Sequence, residues 1–352
     1  MAEDVAMPED LTMLGTPVEV GAISKELKKL WLADQTRTRA TLFNFAIICE
    51  GEEAMRENTE LLARFVGSHA FRAILIGIEA SGAETTVKAW INAHCYLPKA
   101  GGKHVCSEQV SLYIRGDVRA VLPNLLFQQL DYDLPLTLWW RARDFEHVHP
   151  EVWRWVDRLL FDSQVWTNPG RELLRLRDAI GRQRTALCDL AWTRTLHLRQ
   201  SLAQMFDTPE HASALQHLRR VAITYAPGAR TPAVLLLSWL AAQLNWSHSS
   251  DRGQHMHFRV GGNEVISDLL ELPGIGISRV ELRGEALTVI ATRTSGTRFL
   301  HIEAREADGR VTQHLMPADC CEDLAGTLDE ELASWGKHGV YRKVLAVAGG
   351  LL

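Results

Sequence analysis

The segment from His104 to Trp140 predicts a strand, a helix and a second strand, in that order. Cys106–Ile114 is the first strand, Asp117 is the expected N-cap of the helix, and Leu136–Trp140 is apolar apart from one threonine. A nearly uninterrupted apolar run indicates a strand that is buried on both faces, as in a parallel sheet covered by helices. The segment therefore predicts an α/β unit in the first half of the chain.

The residues before this segment show the same pattern. Thr41–Cys49 and Arg72–Ile78 are two further apolar strands, and Glu52–Val66 between them has the spacing of an amphipathic helix. A strand, a helix and a strand at this spacing are typical of a right-handed crossover between parallel strands. The alternation of apolar residues in Val87–Ala93 predicts a third strand.

The middle of the chain predicts helices. Pro150 lies at an expected first turn, and the apolar positions from Val152 to Leu160 have helical spacing. Arg171–Phe206 predicts a long helical stretch, as one helix or as two helices broken near Gly181, that Pro209 ends.

The second half begins again with a strand, Val221–Tyr225, followed by a helix at Pro232–Leu244. Short strands separated by turn residues follow. Asp319 is the expected start of a final helix, whose apolar stripe ends at Trp335. The predicted short strands are His255–Val260, Ile277–Arg283, Ala286–Thr292, Arg298–Ala304 and Val311–Met316.

These patterns predict an α/β fold of the mixed α+β kind, with two α/β units of similar strand, helix, strands, helix order joined by a helical segment. We expect a mobile N-terminal arm at residues 1–17 and an N-terminal α/β domain at residues 18–166. A helical connector at residues 167–212 is expected to precede a C-terminal α/β domain with an antiparallel meander at residues 213–352.

The composition is that of an ordinary globular protein, with 46% apolar and 23% charged residues. A net charge of −5 argues against nucleic acid or an anionic membrane as a partner. The sequence shows no secretion leader at its start and no apolar run of ~18 residues, and six cysteines are too few for a disulfide framework. We therefore expect a cytoplasmic protein in a reducing compartment.

No sequence motif indicates an enzyme active site, a cofactor site or a metal site. The glycines form neither GxGxxG nor a phosphate-binding loop, and GxSxG, HExxH and paired CxxC motifs are absent. His94, Cys95, His104 and Cys106 have the residue types of a zinc site, but their spacing matches no standard zinc motif, so no metal is expected.

Polar and aromatic residues near strand ends are the candidates for binding a partner, because Arg, Trp and clustered polar groups are typical of interfaces. Vicinal cysteines and a cysteine in a polar cluster are candidates for redox chemistry. The partner-binding candidates are Arg39, His69, Arg72, Glu108, Gln109, Asp133, Trp139, Trp140 and Asp162, and the redox candidates are Cys106, Cys320 and Cys321.

Several short motifs, taken in order, resemble the glucose-6-phosphate dehydrogenase assembly protein family. The chain departs from the family at His69-Ala70-Phe71-Arg72, where the family tends to have His-Pro-Ser-Arg, which puts the chemistry of that corner in question. The motifs that carry the resemblance are Arg39-Ala40-Thr41-Leu42-Phe43-Asn44, Cys106-Ser107-Glu108-Gln109-Val110, Asp133-Leu134-Pro135-Leu136, Trp139-Trp140, Asp162-Ser163, Asp189-Leu190-Ala191-Trp192-Thr193-Arg194 and Leu235–Trp246.

The resemblance implies a non-catalytic protein that binds glucose-6-phosphate dehydrogenase and supports its assembly or active state. Such a protein would support the supply of NADPH from the oxidative pentose phosphate pathway. A sugar-phosphate effector of the complex is a further expectation.

The same residues leave two other classes of function open as alternatives to this assembly role. In a sugar-phosphate-binding enzyme, His69, Arg72 and Arg39 would hold the phosphate and Glu108 would act as a base. In a redox-sensitive adaptor, two cysteines would switch partner binding, which requires Cα atoms within ~7 Å.

Overall fold

A computed structural model describes residues 13–32, 37–82, 84–96, 104–143, 149–180, 184–252, 255–294, 297, 299–318, 323–334 and 339–352. The chain forms two compact units. The first comprises the described residues of Met1–Phe161 and Leu176–Ala186, and the second comprises those of Asp162–Arg175 and Leu187–Leu352. Of the arm expected at residues 1–17, residues 1–12 lie outside the described part of the chain, and Thr16–Val18 is a strand.

The first unit contains eight described strands and three described helices before the chain enters the second unit. They are β1 (Thr16–Val18), α1 (Ile23–Leu32), β2 (Arg37–Arg39), β3 (Phe43–Glu50), α2 (Gly51–Phe65), β4 (Phe71–Glu79), β5 (Thr86–Tyr96), β6 (His104–Arg115), α3 (Val118–Gln129), β7 (Leu136–Trp140) and β8 (Arg158–Phe161). Helix α4 (Pro169–Ile180) and strand β9 (Ala186–Asp189) include the residues at which the chain passes between the units.

The sheet of the first unit is mostly parallel, with the strand order β1-β5-β6-β4-β3-β7-β8 and β2 beside β6. Strands β3, β4, β6, β7 and β8 run parallel, which confirms the predicted crossover of β3, α2 and β4. Strands β5 and β1 continue the sheet in antiparallel pairing. The predicted N-cap is confirmed as well, because the Asp117 carboxylate accepts a hydrogen bond from the Ala120 amide.

The second unit contains a sheet with the strand order β11-β12-β13-β10-β14-β15-β16-β17. Its pairs are antiparallel except for β10 and β13, between which the chain crosses by way of the apolar helix α8. Its elements are α5 (Leu190–Thr193), α6 (Leu196–Gln204), α7 (Pro209–Ala214), β10 (Leu218–Tyr225), α8 (Arg230–Gln243), β11 (Ser247–Arg252), β12 (His255–Val260), β13 (Asn263–Glu271), β14 (Ile277–Gly284), β15 (Leu287–Arg293), β16 (Phe299–Glu306), β17 (Val311–Pro317), α9 (Leu324–Ala333) and α10 (Gly339–Ala348).

The mixed α/β class with two α/β units is confirmed. Among the described residues, no helix is both long and apolar enough to cross a membrane.

The helix predicted at Pro150–Leu160 is wrong. Val152–Arg154 forms a single 3-10 turn, and the residues after it form strand β8, which pairs in parallel with β7. All four residues of β8 are buried. Their apolar spacing also fits a helix, but pairing with β7 gives the backbone its hydrogen-bond partners in the sheet interior.

Helix α4 ends at Ile180, next to the break that the two-helix alternative for Arg171–Phe206 places near Gly181. The prediction is wrong after that point, because strand β9 begins at Ala186 and the short helices α5 and α6 follow it. Pro209 does not end a helix. It begins α7 at the first turn, where the Thr208 hydroxyl caps the His211 amide, as is common for proline.

In the second unit the predicted strands are confirmed, but the sequence did not predict β11 and β13. Helix α9 begins at Asp323, whose carboxylate accepts from the Gly326 amide, and it is followed by α10, so it is not the final helix. Asp319 and Trp335 lie outside the described residues.

Asp189, the last residue of β9, is a fully buried acid at the start of α5. Its carboxylate accepts hydrogen bonds from the Ser163 amide (3.0 Å) and hydroxyl (2.5 Å), the Ala191 amide (2.9 Å) and the Tyr341 hydroxyl (2.7 Å). Burial raises the pKa of Asp189 to about 6, against the lowering effect of the bonds from Ser163 and Tyr341. The network joins three segments of the second unit.

The raised pKa predicts a pH dependence of stability. Because the folded chain holds the Asp189 proton more tightly than the unfolded chain, ionisation removes about 3 kcal/mol from the free energy of unfolding as pH rises from about 4 to about 6. Asp189→Asn should remove this fall, whereas the exposed Asp308→Asn should keep it. Urea unfolding of the wild type and both variants between pH 4 and 7 measures this fall in the free energy of unfolding. Equal pH slopes in all three proteins would refute its assignment to Asp189.

A disulfide joins Cys95 of β5 to Cys106 of β6, at directly opposed positions 11 residues apart in sequence. Cys106 is buried and Cys95 is exposed. The sequence did not predict this bond.

The loop that the disulfide closes predicts a stabilisation of about 3 kcal/mol from the lost entropy of the unfolded chain. The Cys95→Ser/Cys106→Ser variant should therefore melt at a lower temperature than the oxidised wild type. A reductant should lower the melting temperature of the wild type to that of the variant and leave the variant unchanged. A wild-type melt that is insensitive to reduction would contradict this expectation.

Candidate functional site

Glu108 is a buried carboxylate on β6, 1% exposed, at the centre of a polar cluster in the first unit. It accepts hydrogen bonds from the Trp31 indole (2.9 Å) and from Arg72 Nη1 (2.5 Å), and Arg39 Nη2 lies 3.6 Å from Oε1. A buried charge needs such partners, because desolvation of a lone carboxylate costs several kcal/mol. We call Trp31, Arg39, Arg72, Glu108 and Asp131 the Glu108 cluster.

The Glu108 cluster lies at the amino ends of the parallel strands. Arg72 is the second residue of β4 and lies in register with Asn44 of β3. Asn44 holds the turn after α3, since its amide donates to the Asp131 and Leu134 carbonyls. Arg39 closes the cluster with an ion pair to Asp131 at 3.1 Å. Strand pairing thus brings together residues that are far apart in sequence.

Arg72 is the most buried cation of the cluster, with 12% of its side chain exposed. Burial lowers the pKa of its guanidinium, and the Glu108 carboxylate opposes that shift. Its Nε atom is buried without a hydrogen-bond partner among the described residues. The low exposure of Arg72 and its buried Nε atom show that the Arg72–Glu108 ion pair is shielded from solvent.

Arg39, Arg72 and Glu108 meet as the enzyme alternative requires, but the Glu108 oxygens are already occupied by donors. Only 1% of Glu108 is exposed, so a substrate in solvent has no direct access to this carboxylate as a base. His69, the fourth residue of that alternative, packs its ring edge-on against Phe65 with centroids 6.1 Å apart.

Gln109 is fully buried and forms a second polar network on β6. Its amide donates to Thr59 Oγ1 (3.0 Å) and Ser111 Oγ (2.8 Å), and its carbonyl pairs with His94 Nε2 (2.7 Å). Burial lowers the pKa of His94, which favours a neutral ring that donates its Nε2–H. Gln109 therefore joins β5, β6 and α2 inside the unit.

The two tryptophans of β7 are buried, with Trp139 1% and Trp140 3% exposed. Trp139 stacks on Phe45 with centroids 6.3 Å apart, and Arg141 lies over its ring. A central strand that is covered on both faces sends alternating side chains into the core on either side. The rings thus support the interior, whereas Asp133, in the loop before β7, is exposed.

Asp162 belongs to the second unit, where it forms a bidentate ion pair with Arg194, both contacts at 2.8 Å. Its carboxylate also accepts from the Gln164 amide. Arg194 and Gln164 line a cavity of about 290 Å³ beside the carboxyl end of β10 and the start of α8. Arg194 is not among the predicted site residues, although it ends one of the family motifs.

The disulfide between Cys95 and Cys106 bears on two hypotheses from the sequence, the zinc site and the redox-sensitive adaptor. It takes up two of the four ligands of the possible zinc site, and no cluster of three or more metal-binding side chains occurs among the described residues. It also meets the distance needed by the redox adaptor, with Cα atoms 4.1 Å apart, but Cys95 was not a candidate. Cys320 and Cys321 lie outside the described residues.

Comparisons with known proteins match both halves of the chain. The family model described as glucose-6-phosphate dehydrogenase subunit N-terminal domain matches residues 64–178, and the model described as its C-terminal domain matches residues 185–345. Proteins named OxPP cycle protein OpcA are 23% identical in Synechocystis sp. and 24% identical in Nostoc punctiforme, over 76% and 77% of this chain. The chain spans only 60% and 63% of the length of these relatives.

The matching solved structures share little sequence identity with this chain and have low TM-scores. Aldose-aldose oxidoreductase from Caulobacter crescentus shares 10% identity at a TM-score of 0.44, with 88% of this chain and 95% of that chain covered. UDP-N-acetylglucosamine 3-dehydrogenase GnnA from Acidithiobacillus ferrooxidans shares 11% at 0.42, with 87% and 95% covered. Likeness at this level carries no functional argument.

The two family models together cover well over half of the chain, and the relatives found by sequence bear the same family name. The resemblance drawn from the short motifs is therefore confirmed: the chain belongs to the OpcA family of glucose-6-phosphate dehydrogenase subunits.

Proposed function

We propose that this chain is a non-catalytic subunit that binds glucose-6-phosphate dehydrogenase, supports its active oligomer and activates it allosterically. The match of both halves to glucose-6-phosphate dehydrogenase subunit domains carries the proposal. The chemistry of the site supports it, because Glu108, Asp162 and Asp189 are all engaged by internal donors. Acting in the cytoplasm, the chain would raise the supply of NADPH.

Activation requires differential binding. A subunit shifts its partner toward the active conformation only by the difference between its affinities for the active and inactive states. A tenfold shift in population needs about 1.4 kcal/mol of that difference. The candidate contacts with the partner are the exposed candidates Arg39 and Asp133, whereas Glu108, Gln109, Trp139 and Trp140 are buried in the same unit.

Titration of this protein into the glucose-6-phosphate dehydrogenase of the same organism tests the proposal. We expect a complex of defined mass together with a higher kcat or a lower KM for glucose 6-phosphate. Arg39→Gln/Asp133→Asn should weaken the complex about tenfold, since both groups lie on the proposed contact surface. Arg143→Gln, a change at a 90% exposed side chain of the same unit, is the matched control.

A complex that forms without any change in enzyme kinetics would exclude activation and leave only assembly. The absence of a complex would exclude the whole proposal. Equal weakening by the control variant would show that the effect of Arg39 and Asp133 is not specific to that surface.

We further propose that the cavity of the second unit binds a sugar-phosphate effector. Arg293 supplies a guanidinium group suited to phosphate, whereas both terminal nitrogens of Arg194 are engaged by Asp162. The N-terminus of α8 also favours an anion. The buried Gln164 Oε1 has no hydrogen-bond partner among the described residues and suits a sugar hydroxyl. Together these groups suit a ligand that has both an anionic end and hydroxyl donors.

Thermal melting with added glucose 6-phosphate, glucose or inorganic phosphate tests the effector site. We expect glucose 6-phosphate to raise the melting temperature more than either fragment, because only it contacts both ends of the cavity. Arg293→Gln should abolish the shift, whereas Arg310→Gln, at an exposed arginine of the same unit, should retain it. An equal shift in the wild type and Arg293→Gln would contradict the site.

A further inference from the structure

The strand register of the second unit places three acids in one row across one face of its sheet. Asp268 of β13 and Glu281 of β14 are both in register with Ala222 of β10. Glu281 is in turn in register with Ile290 of β15, and Ile290 with Glu303 of β16. Residues in register across neighbouring strands share a face of the sheet, so these side chains point to the same side.

Arginines flank this acidic row on both sides. Arg220, Arg283 and Arg305 occupy one neighbouring row, because Arg220 is in register with Arg283, and Arg283 and Arg305 are each in register with Thr288. Arg279 lies on β14, which pairs with β10 and β15, and belongs to the row on the other side of the acids. We call these four arginines the arginine face.

Each acid is held by the arginines beside it. Arg220 Nε donates to Asp268 at 2.7 Å, Arg279 and Arg283 both donate to Glu281, and Arg305 donates to Glu303. Burial raises the pKa of Glu281, but the bonds from Arg279 and Arg283 outweigh it and hold that pKa below its usual range. The bond from Arg305 likewise lowers the pKa of Glu303. Glu281 and Glu303 are therefore ionised at neutral pH.

The arginines, and not the acids, form the outer layer of this face. The side chains of Asp268, Glu281 and Glu303 are 6%, 16% and 14% exposed. Those of the arginines are 43% to 61% exposed. Four cations above three acids give a positive outer layer on a chain whose net charge is −5.

The arginines keep donors for a partner. A guanidinium has five N–H groups, and the ion pairs within the sheet engage only one or two of them on each arginine. Exposed apolar side chains lie at the β16–β17 end of the same face, at Phe299, Val311 and Leu315. Arginine beside exposed aromatic and aliphatic groups is the composition of interface hot spots.

The part of the sheet face that carries the arginines and the exposed apolar residues spans five strands, from β10 to β17. At ~4.8 Å spacing these strands give a width of about 19 Å, and seven residues along a strand give about 23 Å. The resulting area of about 440 Å² is roughly half of one side of a standard protein–protein interface.

We propose that the arginine face docks onto an acidic surface of the glucose-6-phosphate dehydrogenase partner. The inference rests on the proposed function and adds the surface and the chemistry of recognition. Complementarity of charge selects the occupant, because outward guanidinium groups attract carboxylates and steer their approach. A second copy of this chain would bring the same cationic layer against itself, which is unfavourable.

Surface plasmon resonance between the full chain and the enzyme of the same organism, at several salt concentrations, tests the docking face. The Arg220→Gln/Arg283→Gln/Arg305→Gln variant should raise Kd by about tenfold or more and make its salt dependence shallower, because three charges leave the interface. The matching triple change to Lys keeps the charges and should bind within about threefold of wild type.

The control removes three exposed charges from helices of the same unit, at Arg171, Arg175 and Lys343, each changed to Gln. It should bind like the wild type. Thermal melts report whether each variant folds. Radical footprinting of the wild-type complex needs no variant and should show Phe299 and Leu315 protected from oxidation.

Three outcomes would overturn the inference. Unchanged affinity and salt dependence in the Gln variant, or unprotected Phe299 and Leu315, would reject the face while leaving the proposed function intact. Failure of the wild type to bind would reject both. Self-association of the free chain that the Gln variant abolishes, with enzyme binding unchanged, would assign the face to a second copy instead.

Discussion

The four hydrogen bonds to Asp189 hold together the start of the second unit, helix α5 and the last described helix, α10. Removing a carboxylate from water costs several kcal/mol unless donors replace the lost hydration. The donors from Ser163, Ala191 and Tyr341 offset part of that cost, and the remaining desolvation raises the pKa of Asp189. Glu108 follows the same rule in the first unit, where an indole and two guanidinium groups replace water.

The ion pairs on the outer face of the second unit differ, because their arginines are about half exposed. Such pairs contribute little to stability, as is usual at a surface. The guanidinium groups are correspondingly available for other carboxylates. Exposed arginines with spare donors are consistent with the proposed binding of a partner.

Sequence patterns succeeded where burial and backbone pairing agree with local periodicity. The mostly apolar strands β3, β4 and β7 and the cap at Asp117 are such cases. Patterns failed where long-range pairing decides the backbone. The apolar residues before Leu160 fit a helix, but β7 offers β8 an edge to pair with. The polar segment β11 carries no strand signal and forms a strand because β12 pairs with it.

The sequence by itself determined the α/β class and, through short motifs in a fixed order, the family. Tertiary structure decided which polar residues are enclosed and which are exposed. Gln109, Trp139 and Trp140 are buried, and the arginine face is assembled from strands β10, β14 and β16. The reason is that strand register joins residues separated by many positions, and no local pattern along the chain records that register.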